Sequence, residues 1–553
     1  MKKTRLYRFF EILPGALTWF TLAGSVIFSW LLPVWVAIYI LLFDLYWVLK
    51  AVNTSMHLLS GFGKLKLHAT YDWRSRLDLL RDPQEYKKWL RQEIVSSPGR
   101  RKRLDLKGEL IRLDSIDFRD RPNDWREIYH LVILPTYKET LQVLRHSVSS
   151  VADSGYPKDR IIFVLATEER DRENAGRNAE ALERAYGGEF LRFLHIMHPD
   201  GIPGELAAKG ANMTYAARKI LPMLSEMGIA EDHVLVSAFD SDTVVSKNYF
   251  DYLTYAFLTA EKPYRSSYQP MPVYNNNIWD APAISRVVAV ADSFWQMVDA
   301  SRPDRLITFS SHAMTLRALI EADFWPVDAI SDDSQIFFRC WLHYNGDYRT
   351  IPLFTNVSLD AMLDETYWRT LIGQYKQKRR WTWGVENFPY LVTGCIGRPI
   401  PFWKKALYIQ RMLESFYFRA TASITIAILG WLPLLLGGEH FGGQVLAFNL
   451  PLLTRVIMQV ATAFLVFSVY INMIIIPRRP PKYSRWRTAS MIAQWVFVPI
   501  VSTVFGSVPA IDSQTRLMFG RYMGFWVTPK ARKSLIRNPA AVFSSPNHDG
   551  RNA

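Results

Sequence analysis

The chain alternates between long apolar runs and a broad polar middle. From Ile12 to Leu49 the single charged residue is Asp44. As one helix this run would be about 57 Å long at ~1.5 Å per residue, about twice a ~30 Å hydrocarbon core. It predicts two passes that fold back near Leu32-Pro33, because proline cannot continue an unkinked helix. The run is too long for a cleavable signal peptide and lacks a clear small-residue cleavage site. Two further spans are expected at Ala420 to Leu436 and Val456 to Ile476, the second stopping at Pro477 before a basic run. Met491 to Ile511 is long enough to cross. Basic residues on both its flanks, with Pro499 and Pro509 inside it, favour a re-entrant or interfacial segment instead.

In the middle the period changes. His130 to Leu134 leads into Pro135-Thr136-Tyr137-Lys138-Glu139, Arg160 to Ala166 into Thr167-Glu168-Glu169, and His233 to Phe239 into Asp240. Helix-compatible segments lie between, such as Thr140 to Val151 and Ala207 to Leu224. Strands alternating with helices predict an α/β domain with a mostly parallel sheet covered on both faces. Ligands of such sheets gather at the carboxyl ends of the strands. The implied order is a transmembrane hairpin (1–50), a cytoplasmic helical linker (51–125), the α/β domain (126–400) and an interfacial helix (401–419). Two transmembrane helices (420–476), a basic loop with the re-entrant or third C-terminal segment (477–512) and a tail (513–553) follow.

Composition agrees with a chain that is part membrane and part water-facing: 49% is apolar and 21% charged. The net charge of +15 comes largely from residues beside apolar runs, such as Lys2, Lys3, Arg5 and Arg8, then Arg478, Arg479, Lys482, Arg485 and Arg487. Such flanks mark the cytoplasmic side and attract anionic lipid, so both ends of the hairpin are expected in the cytoplasm. There is no basic stripe with interleaved aromatics, and no nucleic-acid partner is expected. Arg100-Arg101-Lys102-Arg103 reads as a solvated surface near anionic lipid. The two cysteines, Cys340 and Cys395, lack metal-ligand spacing and imply no disulfide.

Four polar clusters carry candidate chemistry. Asp240-Ser241-Asp242 places two carboxylates at a strand end. Side chains two apart share a face of an extended segment, so both could reach one Mg²⁺ or Mn²⁺ and a diphosphate; a turn or helix cap is the plainer alternative. Ser331-Asp332-Asp333 opens a helix-like stretch, Ser334 to His343. Capping explains one of its acids and leaves the second available as a general base. Gln377-Lys378-Arg379-Arg380-Trp381-Thr382-Trp383 combines aromatic faces for sugar rings with amide and guanidinium donors, or is an amphipathic helix at headgroup level. Lys209, after a glycine-containing loop, is a candidate phosphate ligand. The fourth cluster is Phe525-Trp526-Val527-Thr528-Pro529-Lys530.

In this order the clusters resemble the membrane-bound family 2 glycosyltransferases, the group of cellulose, hyaluronan and chitin synthases, over roughly residues 129 to 390 and 525 to 530. The resemblance implies a GT-A fold between transmembrane helices and an inverting, metal-dependent transfer from a nucleotide sugar, by analogy a UDP-sugar. It assigns Asp333 as base, Asp240 and Asp242 to the metal, and Thr136, Glu139, Glu168, Lys209, Asp240 and Arg380 to the nucleotide sugar. Asp332, Gln377, Arg380, Trp381 and Trp383 would meet the acceptor, and Phe525, Val527, Thr528 and Lys530 would form a gating loop. Two departures stand out: Thr167-Glu168-Glu169 replaces Asp-Asp-Gly, and Phe309-Ser310-Ser311-His312-Ala313-Met314 lacks a customary glycine. The activity implied is elongation of a β-linked exopolysaccharide at the cytoplasmic membrane face, with partner secretion subunits. The alternatives are a single addition to a lipid-linked acceptor, or a non-catalytic scaffold or transporter.

Overall fold

The computed structural model describes residues 4–529 apart from 120, 457–458, 460–469, 471–475 and 477–478. The N-terminal run forms α1 (Arg5–Leu31) and α2 (Pro33–His68), and the break falls at Leu32, where the backbone leaves helical geometry at φ −140°. Pro33 restarts the helix at a position where its missing N–H costs nothing. α2 runs through residue 50 without interruption, burying Leu58, Gly61 and Gly63 on the soluble domain. α3 (Trp73–Leu80), α4 (Pro83–Ser96) and α5 (Arg100–Asp114) pack beside it.

The sheet has eight strands, β1 (Tyr129–Pro135), β2 (Ile161–Glu168), β3 (Arg192–His198), β4 (Val234–Ala238), β5 (Val244–Val245), β6 (Ser266–Tyr274), β7 (Ala313–Thr315) and β8 (Arg349–Leu359), in the order β3-β2-β1-β4-β7-β6-β8-β5. β1 pairs in parallel with β2 and β4, β2 with β3, and β6 with β8. β7 runs against both β4 and β6, and β5 against β8, so the sheet is mixed. β7 enters from the end where β4 exits, which carries Ser310 to the side of Asp240.

The central strands read as continuous apolar runs because both faces are covered. Val132, Leu134, Phe163 and Leu165 point into one core, and Leu131, Ile133, Ile162 and Val164 into the other. The first core packs on α6 (Leu141–Ala152) and α9 (Tyr249–Leu258), the second on α8 (Lys209–Glu226) and α12 (Asp332–His343). The remaining helices of the domain are α7 (Arg172–Tyr186), α10 (Ala283–Ala300), α11 (Leu316–Glu321), α13 (Tyr367–Thr382) and α14 (Asn387–Gly394).

Among the described residues three helices are long and apolar enough to cross a membrane: α1, α2 and Arg485–Met518. The last was expected to be broken at Pro499 and Pro509. It stays helical through Pro499 and Pro509, each near the start of an α-helical stretch, with a π-helical turn at Ser502–Ser507 between them. The wider turn absorbs the hydrogen bonds that proline cannot make. The expected interfacial helix and the following span also merge. α15 (Phe402–Ala427) is continuous and then bends by 50° into Leu429–Leu436. Most of the span expected at Val456 to Ile476 lies outside the described residues.

Candidate active site

The carboxyl ends of β1, β2 and β4 open onto one cavity of about 170 Å³, closed from the other side by α13 and residues 525–529. Glu139 holds its floor. One carboxylate oxygen accepts from the Thr136 hydroxyl at 2.8 Å and the Tyr137 N–H at 2.6 Å, and the other from the Ser241 hydroxyl at 2.8 Å. The loop after β1 is thereby tied to the turn after β4. Glu168, at the end of β2, is buried and takes the Arg170 Nε at 2.9 Å. Burial raises its carboxyl above the usual range, against the pull of Arg170.

Asp240 and Asp242 both line the cavity, but not as neighbours on an extended strand. β4 ends at Ala238, and the Asp240 N–H turns back onto the Thr243 hydroxyl at 2.9 Å while Thr243 N–H bonds the Asp240 carbonyl at 2.9 Å. This tight turn aims the two carboxylates at different partners. Asp240 accepts from Lys209 and from the Ser310 hydroxyl, whereas Asp242 accepts the Asp360 N–H at 2.8 Å.

Lys209, the first residue of α8, is the hub. Its Nζ donates to Asp240 Oδ1 at 2.7 Å and to Asp333 Oδ1 at 2.9 Å. Burial pulls its ammonium down, but Asp240, Asp333 and Asp332 overcome this and hold it above the ordinary lysine range. The close approach needs Gly210, where an added Cβ would lie 2.4 Å from the Pro326 carbonyl and 2.9 Å from Asp332 Cβ. Asp332 itself is 3% exposed, and its Oδ2 has no hydrogen-bond partner. Burial, then the adjacent Asp333, raise its carboxyl well above the usual range. Both aspartates line the cavity, and Asp333 is the one bonded to Lys209.

The far wall is α13. Gln377 accepts from Gln374 Nε2 at 2.9 Å, and Trp381 lies 5.6 Å from the Tyr274 ring and 6.3 Å from Phe309. The Arg380 guanidinium sits 4.8 Å over Phe525, which with Val527 and Thr528 covers the opening. Lys530 lies outside the described residues. Trp383, expected on the acceptor side, is elsewhere: it is 1% exposed, packs with Ile330, Val385 and Leu517, and donates its indole N–H to Glu386 at 2.8 Å. The helix turns it inward because it follows Trp381 by two residues, which face different sides at 3.6 residues per turn.

Two residues escaped the sequence reading. Glu386 is half-buried beneath the loop before Asp332 and accepts the Ile330 N–H at 3.0 Å, the Ser331 N–H at 2.8 Å and the Ser331 hydroxyl at 2.7 Å. His312 is fully buried, its Nδ1 3.0 Å from the Phe309 carbonyl and 3.7 Å from Asp333, while its Nε2 accepts the Trp325 indole N–H at 3.2 Å. An acid within an otherwise apolar stretch was the available signal for Glu386. His312 stood within the Phe309 to Met314 element, but nothing local gave it a role.

Residues 235–501 match the family model of glycosyl transferase family group 2. The match to this glycosyltransferase family takes in Asp240, Asp242, Asp332, Asp333, Gln377, Arg380 and Trp381, and begins after Thr136, Glu139, Glu168 and Lys209. No curated protein sequence matches the chain. Among solved structures, the mannosyltransferase PcManGT from Pyrobaculum calidifontis, in complex with GDP-Man and Mn²⁺, is 14% identical over 81% of this chain and 98% of its own, with a TM-score of 0.35. TarS 1-349 from S. aureus, in complex with UDP-GlcNAc, is 13% identical over 64% of this chain and 93% of its own, with a TM-score of 0.34. At these scores the reading of the site rests on this chain's own geometry. The domain itself is a mixed sheet with helices on both faces.

Proposed function

We propose that the chain is an inverting glycosyltransferase that uses a nucleotide sugar, by resemblance a UDP-sugar, to elongate a polysaccharide at the cytoplasmic face of a membrane. The observation that carries this is the Lys209 bridge, which draws Asp240 and Asp333 together although they are far apart in sequence, with Arg380 and Trp381 lining the same cavity. Asp333 takes the acceptor hydroxyl proton as the new C1–O bond forms and the C1–O bond to phosphate breaks. The nucleoside diphosphate leaves with the electron pair. General-base help of this kind is worth roughly 10²–10⁴-fold. Lys209 holds the base in place and Arg380 faces the charge growing on the diphosphate.

Among the described residues no group of three or more His, Cys, Asp or Glu side chains could hold a metal ion. Two carboxylates in one cavity still fit Mg²⁺ or Mn²⁺, which commonly take one or two protein carboxylates and complete their shell with phosphate oxygens and water. Held by Asp240 and Asp242, such a cation would supply charge neutralisation of the diphosphate. The cavity of about 170 Å³ is smaller than the ~300–1,000 Å³ clefts that hold drug-sized ligands. Phe525, Val527, Thr528 and Pro529 line one side of it, beside Arg380 and Trp381, which supports a loop that meets a growing chain in a processive synthase. A single addition to a lipid-linked acceptor is the second reading, favoured by the three or four membrane-length helices among the described residues.

The test is Asp333→Asn in lipid-reconstituted protein with a panel of nucleotide sugars. Nucleotide binding should persist while transfer falls at least 10²-fold. Wild-type transfer in this variant removes the assigned base, and product length separates polymer from one added sugar.

A further inference from the structure

A second cavity, of about 1010 Å³, lies away from the site described above, between α2, α5, α9 and the start of β8. Lys64, Arg100, Arg101, Arg112 and Arg349 all reach it. Its acids are engaged elsewhere: Glu109 with Arg76, Asp105 with His68, Glu261 with Arg349 and Asp304 with Arg411. Among the described residues Arg100 and Arg101 form no ion pair, while Lys64 faces Asp105 and lies 4.8 Å over the Phe354 ring. Thr350, 1% exposed, also lines the cavity and its hydroxyl has no hydrogen-bond partner.

The cations sit where they repel most. Arg100 to Arg103 form the first turn of α5, the positive end of its dipole, with no acidic residue there and no side-chain cap. The approach is built in: an added Cβ at Gly63 would lie 1.8 Å from the Arg101 guanidinium, so α2 keeps that position bare for it. Two arginines without an ion pair, a free helix start and an orphaned hydroxyl around one large cavity describe a receptor for an anion.

We propose that this cavity binds a soluble phosphate-bearing ligand. Lys64 lies fourteen residues past Lys50, the first charge after the apolar part of α2, or roughly 21 Å along the helix. Tyr408, on its α15 wall, precedes the apolar stretch at Ala420 by about 18 Å. The headgroup layer beyond the hydrocarbon is only about 5–8 Å deep on each side. The Arg100 cluster thus hangs below the lipid phosphates, unlike the lipid-facing surface its composition suggests. β8 begins at this cavity and ends at Leu359, beside Asp360, whose N–H is bonded to Asp242, so one strand joins the two sites.

The test is amide hydrogen exchange on the full chain in zwitterionic nanodiscs with inorganic pyrophosphate and no divalent cation. Exchange of the Arg100–Arg103 amides should slow at least 5-fold. Arg100→Ala/Arg101→Ala should abolish the slowing, and Gly63→Ala, which evicts the Arg101 head without changing charge, should weaken it. Nucleotide protection of the turn at Asp240 in each variant verifies that it is folded. Unchanged exchange in the first turn of α5 overturns the proposal. So does slowing produced by anionic nanodiscs alone, which assigns the site to a lipid headgroup. Because the readout is local to α5, neither result bears on the role of Asp333.

Discussion

Glu386 offers the sharpest perturbation, because it touches no substrate yet fixes the loop that carries the base. Its carboxylate receives four donors, the Ile330 N–H, the Ser331 N–H and hydroxyl, and the Trp383 indole. Hydrogen bonds to a charged group contribute about 1.5–3 kcal/mol each, so their gross worth is large. Burial opposes it, raising the Glu386 carboxyl above the usual range despite those donors. A raised folded-state value means that its contribution is greatest at acid pH and is lost as pH rises through that value. At neutral pH the carboxylate is therefore a poor stabiliser and chiefly a positioning group. Glu386→Ala should cost about 2–4 kcal/mol of stability, from two backbone N–H groups left to find water. Its effect on transfer should be at least as large. A ~1 Å shift of Asp333 lowers the rate about 10²-fold, near 2.7 kcal/mol. Glu386→Gln keeps an acceptor for the loop but sets an amide N–H₂ against the Trp383 N–H, and should fall between. The assay is kcat for sugar transfer beside nucleotide affinity and Tm. Normal kcat in Glu386→Ala with a lowered Tm would show a merely structural carboxylate and refute the reasoning.

Chelation should stop turnover in the wild type while leaving Tm within a few degrees, since the cation joins the carboxylate pair with the diphosphate; undiminished product in excess chelator contradicts the metal reading. His130 predicts a pH effect on stability. It is fully buried on β1, bonded through Nε2 to the Thr254 hydroxyl at 2.8 Å, and burial lowers its value from 6.5 to about 3. The unfolded chain takes up the proton first, so this stabilisation is present above pH 6.5 and is lost as pH falls. Between pH 7 and pH 5 the loss is about 2 kcal/mol. His130→Gln should flatten that slope in chemical denaturation, and an unchanged slope places the titrating group elsewhere.

Much of this molecule could be read from residue order, for physical reasons. The strands at 130, 161 and 234 are continuous apolar runs with breakers behind them, and such runs have few other uses in a polar middle. The break at Leu32-Pro33 followed from bilayer thickness and one proline. What failed was local chemistry set by distant partners. The Arg485–Met518 helix tolerates two prolines because a π turn between them takes up the misfit, and no composition signals a π turn. Asp240 and Asp242 were expected side by side on a strand, whereas Thr243 reaches back and makes a turn. Trp383 looks like its neighbour Trp381 in sequence but faces a core built from Ile330 and Leu517. The ammonium that unites the acids, Lys209, was visible only as a candidate, because its partners lie 31 and 124 residues away.

The Arg485–Met518 helix also sets when this chain can finish folding. Gln514 bonds Thr18 at 2.7 Å and Thr515 bonds Trp19 at 2.9 Å, while Asp512 grips Arg379 at 3.0 Å and Ser513 meets Thr382 at 2.8 Å. The two chain ends are sewn to each other and to the acceptor helix. A ribosome must therefore have released residue 518 before α1 has its neighbour or α13 its clamp. Until then the nascent chain holds a sheet without a finished wall, and a premature stop between α14 and this helix leaves the sheet complete but α13 without its clamp.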